Sequence, residues 1–313
     1  MPWLQLIRWK NLIIIFLTQL LAWWCVILPE SPEVLNPVNF LLLSLSTMLI
    51  AAAGYIINDY FDIKIDAINK PDKVVLEKTI PRKQAIIAHA ALNTIALILA
   101  GYVAARAHHY EWPLLQAACI ILLWFYSTHF KRQYMTGNIV VALLTSFTII
   151  TLVVYEPVIH DLIHLPGNNY SPSPLPVLVL LVFAYFAFML TWMREIVKDM
   201  EDLGGDAAGG CATIPVKKGL KYARNFTIML SAWVLLPLAV MAVKLYHYSF
   251  TALTADTALL LFTLLNWSIF MFMGQAAKQH YHKASRGLKI IMLMGLCLLV
   301  IYHFSIINTA WPK

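Results

Sequence analysis

The chain predicts an all-α fold: a polytopic membrane helical bundle of nine transmembrane helices, with residues 1–313 as a single integral-membrane domain. Hydrophobic residues make up 60% of the sequence and charged residues only 12%, against about 25% charged in soluble domains. Apolar runs of spanning length, about 20 residues, recur from end to end without a long Gly/Ser/Pro linker. The basic residues, finally, alternate by side of the membrane.

The spans fall near 11–28, 39–58, 84–105, 112–129, 137–157, 175–197, 226–244, 254–274 and 286–308. The stretch around Arg8, Lys10 and Asn11 runs into a full-length apolar segment and lacks the short hydrophobic region and small-residue cleavage site of a secretory leader, so the first span reads as a retained helix. Of the 23 Lys and Arg residues, Arg106, Lys244 and Lys313 fall on one side of these spans and the other 20 on the opposite side. Such a bias predicts a cytoplasmic N-terminus and an outer C-terminus. The net charge of +7 is mostly this bias. It requires no nucleic-acid partner, and no obligate protein partner is implied; the basic face would meet anionic membrane lipid. Cys25, Cys119, Cys211 and Cys297 are scattered without metal or disulfide spacing and read as small core residues.

Against this background one acidic spacing occurs twice. Asp59, Asp62 and Asp66 close the second span, and Asp199, Asp202 and Asp206 close the sixth; both sets read D-x-x-D-x-x-x-D. Four spans separate them, so both are expected on the cytoplasmic face. On a helix, positions i, i+3 and i+7 fall within an arc of about 60°, from about 100° per residue. Gly204 and Gly205 weaken the second helix, which leaves Asp206 on a helix or on a loop. Carboxylates beside hydrocarbon are costly and mark function. As hard oxygen donors they suit Mg²⁺, which takes one or two carboxylates together with waters and substrate phosphate. Two metal-bearing clusters could therefore clamp a diphosphate. Nearby cations would take up the remaining charge: Lys70 and Lys73 after the first motif, Arg194 and Lys198 beside the second, Lys131 and Arg132 between spans four and five. Asn58 adds an amide. A cation or organophosphate carrier would instead place acids toward both faces.

The stretch from Asn58 to Lys73 resembles the first signature of the UbiA-type intramembrane prenyltransferases, and Arg194 to Asp206 resembles the second. Tyr126 to Arg132, with Gly137 and Asn138, is similar to the family's Tyr/Lys element, and Arg8 and Asn11 to its N-terminal element. Within the family, both motifs are most similar to the geranylgeranylglyceryl-phosphate geranylgeranyltransferase branch, although Val74 to Lys78 stands where a proline-rich run is frequent. The resemblance implies a UbiA prenyltransferase-like bundle in a bacterial or archaeal cell membrane. It implies Mg²⁺-dependent transfer of a polyprenyl group, such as geranylgeranyl, from a prenyl diphosphate donor to a lipid acceptor of the prenylglyceryl phosphate type, with an aromatic acceptor as the alternative. Asp59, Asp62, Asp199 and Asp202 would hold the metal and do the catalytic work. Arg8, Asn11, Asn58, Asp66, Lys70, Lys73, Tyr126, Lys131, Arg194, Lys198 and Asp206 would bind substrate. Tyr55, Tyr60, Phe61, Trp124, Tyr126 and Trp192 are aromatic candidates to face a carbocation. His160 and His164, spaced i, i+4, lie in a proline-rich outer loop without an H-E-x-x-H context and carry no metal expectation.

Overall fold

The computed structural model describes residues 1–69, 75–159, 175–247, 249–274 and 277–307. Among them the only extended pairing is an isolated bridge between Leu76 and Ile80. Helix α1 (Pro2–Leu6) leads to α2 (Trp9–Ala22), which continues through a π turn and a 3-10 turn to Glu30. Next come α3 (Pro37–Asn69), α4 (Arg82–Arg106), α5 (Pro113–Thr128), α6 (Thr136–Val154) and α7 (Leu175–Glu201). Two short helices, α8 (Leu203–Ala208) and α9 (Ile214–Lys218), precede α10 (Leu220–His247), α11 (Thr251–Met273) and α12 (Lys278–Tyr302).

Eight segments among the described residues are long and apolar enough to cross a membrane. The ninth expected span is α5, with 16 residues. At about 1.5 Å per residue it is about 24 Å long, shorter than the hydrocarbon layer of about 30 Å. The largest shift from expectation is at the end of the second span. That helix continues past residue 58 to Asn69 because no Gly or Pro interrupts it; Pro71 is the next breaker in the sequence.

The chain divides into two compact units. The first is Met1–Gln133 with Phe147–Ala184; the second is Tyr134–Ser146 with Tyr185–Lys313. In the first unit α3 packs along α4 and α5. A Cβ at Gly54 would lie 2.8 Å from the Leu123 side chain, so α3 and α5 approach this closely only with glycine there. Fully buried Gln19 donates to the Thr148 carbonyl (2.8 Å) and accepts from the Ser44 hydroxyl (2.9 Å). Fully buried Glu156 accepts backbone N–H bonds from Glu33, Val34 and Leu35 (3.0, 3.2 and 2.8 Å) and ties the turn before α3 to the end of α6. In the second unit α10 packs on α11 and α11 on α12. The Trp267 indole N–H bonds the Ala284 carbonyl (2.9 Å), and Ser268 bonds Ser231 (2.9 Å).

Candidate active site

The first motif lies within α3, which is unbroken through Asn69, so Asp59, Asp62 and Asp66 keep the register of one helical face. Beside that face, Ile56 joins buried Leu6, Leu76, Ile80 and Ala85 in an apolar cluster, with Tyr60 and Ile63 packed against it. This contact of α1, the 75–80 loop and α4 holds the acid-bearing end of α3. It also gives the non-proline wording of that loop a structural reason: Leu76 and Ile80 pin it down.

Each described acid of the first motif meets a cation. Arg8, in a left-handed conformation (φ 52°) between α1 and α2, donates to Asp59 Oδ1 at 2.7 Å. Its guanidinium lies 4.9 Å from the Tyr55 ring centre. Lys131, on the 3-10 turn Phe130–Arg132, donates to buried Asp62 Oδ2 and to Asn58 Oδ1 (3.3 Å). Residues 51 and 69 positions apart in sequence are thereby joined at one helix end. Aromatic side chains cluster nearby: Phe61 contacts Tyr60 and Trp124 edge to face at 5.3 and 5.9 Å, and Trp124 lies 5.8 Å from His89. Asn11 lies in α2 and Tyr126 in α5, both partly buried. Lys70, Lys73, His160 and His164 lie outside the described residues.

In the second motif, where the glycine pair left Asp206 on a helix or on a loop, the long helix breaks before Asp206. Helix α7 ends at Glu201, Asp202 takes the N-cap position with φ −98° and ψ 9°, and Asp206 sits buried on the separate short helix α8. The Gly204–Gly205 pair lowers the helix preference here. Asp199 Oδ2 accepts from the buried Asn138 amide at 2.8 Å. Arg194 and Lys198 do flank the motif, and both reach Glu195: Lys198 at 2.7 and 3.0 Å, Arg194 at 3.3 Å. Glu201 bonds His282 Nδ1 at 2.9 Å. Trp192 lies 5.7 Å from Phe188 and 6.0 Å from Phe226.

Sequence reasoning gave no role to Glu195 or His282, and it named Asn138 only within the Tyr/Lys element, without its partner Asp199. Glu195 carried a legible signal, an acid inside an apolar run at i+3 spacing to Lys198. Nothing in the chain linked Asn138 or His282 to its partner, because those partners come from other helices.

The donor set fits Mg²⁺. Asp59 and Asp62 offer two carboxylates on one face with the Asn58 amide beside them, and the cations on them show that this face favours positive charge. Among the described residues no three His, Cys, Asp or Glu side chains form a closed cage. Mg²⁺ needs none, since one or two carboxylates, water and substrate phosphate complete its shell.

Residues 18–294 match the model of the UbiA prenyltransferase family, and the chain belongs to that family. It is an integral membrane enzyme that transfers prenyl groups. Among its relatives, the digeranylgeranylglyceryl phosphate synthase of Methanosphaera stadtmanae is 26% identical over 295 residues, covering 94% of this chain and 96% of that one. A solved structure of digeranylgeranylglyceryl phosphate synthase shares the fold with a TM-score of 0.64 at 24% identity, over 98% of each chain. A UbiA homologue from Archaeoglobus fulgidus, solved with GPP and Mg²⁺, has a TM-score of 0.56 at 16% identity, over 96% of this chain and 100% of the other.

Proposed function

We propose that the protein transfers a polyprenyl group, such as geranylgeranyl, from its diphosphate to a prenylglyceryl phosphate, with Mg²⁺ as cofactor. The observation that carries this reading is the pair of acidic motifs. Both end apolar spanning helices, and both lie among Lys, Arg and Asn side chains. The shared name of curated relatives that match most of the chain supports the acceptor, and the GPP- and Mg²⁺-bound homologue supports donor and metal. Residues 1–313 act as one prenyltransferase domain, with the N-terminus and the acidic motifs on the cytoplasmic side and the C-terminus outside.

Asp59, Asp62, Asp199 and Asp202 hold the metal. Bound Mg²⁺ supplies the positive charge that grips the donor's diphosphate and eases its departure. Lys131, Arg194 and Lys73 neutralise the diphosphate as the C1–O bond breaks, and Asn58, Lys70, Lys198, Tyr126, Arg8, Asn11, Asp66 and Asp206 complete the substrate contacts. Aromatic faces such as Phe61 and Trp124 shelter the allylic cation from water. The acceptor's hydroxyl oxygen then bonds C1 and releases its proton, forming an ether.

Mass spectrometry of products from purified protein, Mg²⁺ and a panel of prenyl diphosphates, offered with both a prenylglyceryl phosphate and aromatic acceptors, tests this. A prenyl ether of the glyceryl phosphate is expected; exclusive prenylation of an aromatic acceptor would overturn the acceptor assignment.

A further inference from the structure

The second unit carries a basic cluster that the acidic motifs do not use. Arg224, in the second turn of α10, donates through Nη1 to the Gly274 carbonyl at 3.3 Å. Its Nε is sealed from solvent and has no acceptor among the described residues. With Nη1 anchored, the Nε–Nη2 edge remains, and that edge is the fork that grips an oxyanion with two bonds. His280, in the first turn of α12, is likewise sealed at Nε2 without a partner among the described residues. Its ring is fixed against Phe270, 4.2 Å between ring centres. The ring also lies across Gly274, where a Cβ would come within 1.9 Å of it. Arg224 and Lys283 are both close enough to act on the charge of His280. Buried nitrogens are nearly always hydrogen-bonded in folded proteins, and two on neighbouring basic side chains, at the N-terminal turns of two long helices, suit an anion.

The helix that carries His280 also reaches the second motif. His282, two residues beyond His280, holds Glu201 between Asp199 and Asp202 at 2.9 Å. Arg224, His280 and Lys283 include no carboxylate, so this group suits a phosphate that arrives without a metal.

We propose that Arg224, His280 and Lys283 bind the phosphate monoester of the prenyl acceptor and so set acceptor specificity. This rests on the prenylglyceryl phosphate reading above. A membrane lipid headgroup offers the same phosphate chemistry, and the test separates the two. Steady-state transfer by the full-length protein in detergent is measured for wild type, Arg224→Gln, Arg224→Lys and Lys283→Gln. Loss of a charged hydrogen-bond donor should raise KM for prenylglyceryl phosphate about tenfold or more in Arg224→Gln, from the usual worth of such bonds. Arg224→Lys should recover part of that loss, and Lys283→Gln should show a rise of about threefold. KM for the prenyl diphosphate and the Mg²⁺ requirement should stay at wild-type values in all three. Lys283 is exposed, so its variant folds whatever becomes of Arg224→Gln. An unchanged acceptor KM in the folded variants, or an equal rise in donor KM, would overturn the assignment. So would competition by short-chain phosphatidylglycerol that matches the acceptor in wild type and disappears in Arg224→Gln, since the ligand would then be a lipid headgroup. A wild-type enzyme that ignores prenylglyceryl phosphate and prenylates an aromatic compound would instead overturn the acceptor reading itself, and this site with it.

Discussion

The two acidic motifs share one spacing and meet different surroundings. In the first, an unbroken helix carries Asp59 and Asp62 to Arg8 and Lys131. In the second, the helix breaks at Asp202, Asp199 bonds the neutral Asn138 amide, and Lys198 and Arg194 reach Glu195. A carboxylate paired with a cation is balanced before any metal binds. One held by an amide among other acids keeps more of its desolvation cost. Asp59 and Asp62 are thus stabilised by cations of the protein itself, whereas Asp199 bonds a neutral amide, and a bound cation would stabilise it more.

Several substitutions would break or sharpen this contrast. The largest effect is expected in transfer itself: Asp62→Ala and Asp202→Ala should each lower kcat by about 10³-fold while the protein stays folded, on the scale of lost electrostatic stabilisation at active sites. Wild-type turnover in either variant would remove that carboxylate from the machinery. Next comes Lys131→Ala. It strands buried Asp62 and should destabilise the metal-free protein by about 3–5 kcal/mol, read as a lower midpoint of thermal unfolding. Asp199→Asn should move the other way. It keeps an acceptor for Asn138 and removes a charge near Glu195 and Asp206, so metal-free stability should rise by about 0.5–1 kcal/mol; a fall would show that the two motifs do not differ as described. The smallest change is expected for Arg8→Ala, whose partly exposed pair with Asp59 should contribute at most about 1 kcal/mol and less in high salt.

Much of the molecule was legible in the chain. Apolar runs placed the membrane helices in order, because burying about 20 residues in hydrocarbon leaves a compositional trace that needs no tertiary information. The D-x-x-D-x-x-x-D spacing correctly placed Asp59, Asp62 and Asp66 on one face of α3, since helical register is local. For the second copy it left Asp206 on a helix or on a loop, and in the structure α7 ends at Glu201 and Asp206 lies on its own short helix. Helix α3 runs beyond the expected span to Asn69, since hydropathy marks where a helix leaves lipid, not where it ends.

The sequence by itself determined a multi-pass helical bundle with two acidic motifs, because composition, periodicity and motif spacing are local properties; the UbiA prenyltransferase family entered through the resemblance of those motifs and the match over residues 18–294. Only the tertiary structure decided that Arg8 meets Asp59 and Lys131 meets Asp62, that His282 holds Glu201, and that Arg224 and His280 come together beside Gly274. Those contacts join residues far apart in the chain or on different helices. Their geometry follows from how helices pack, and no spacing along the chain records it.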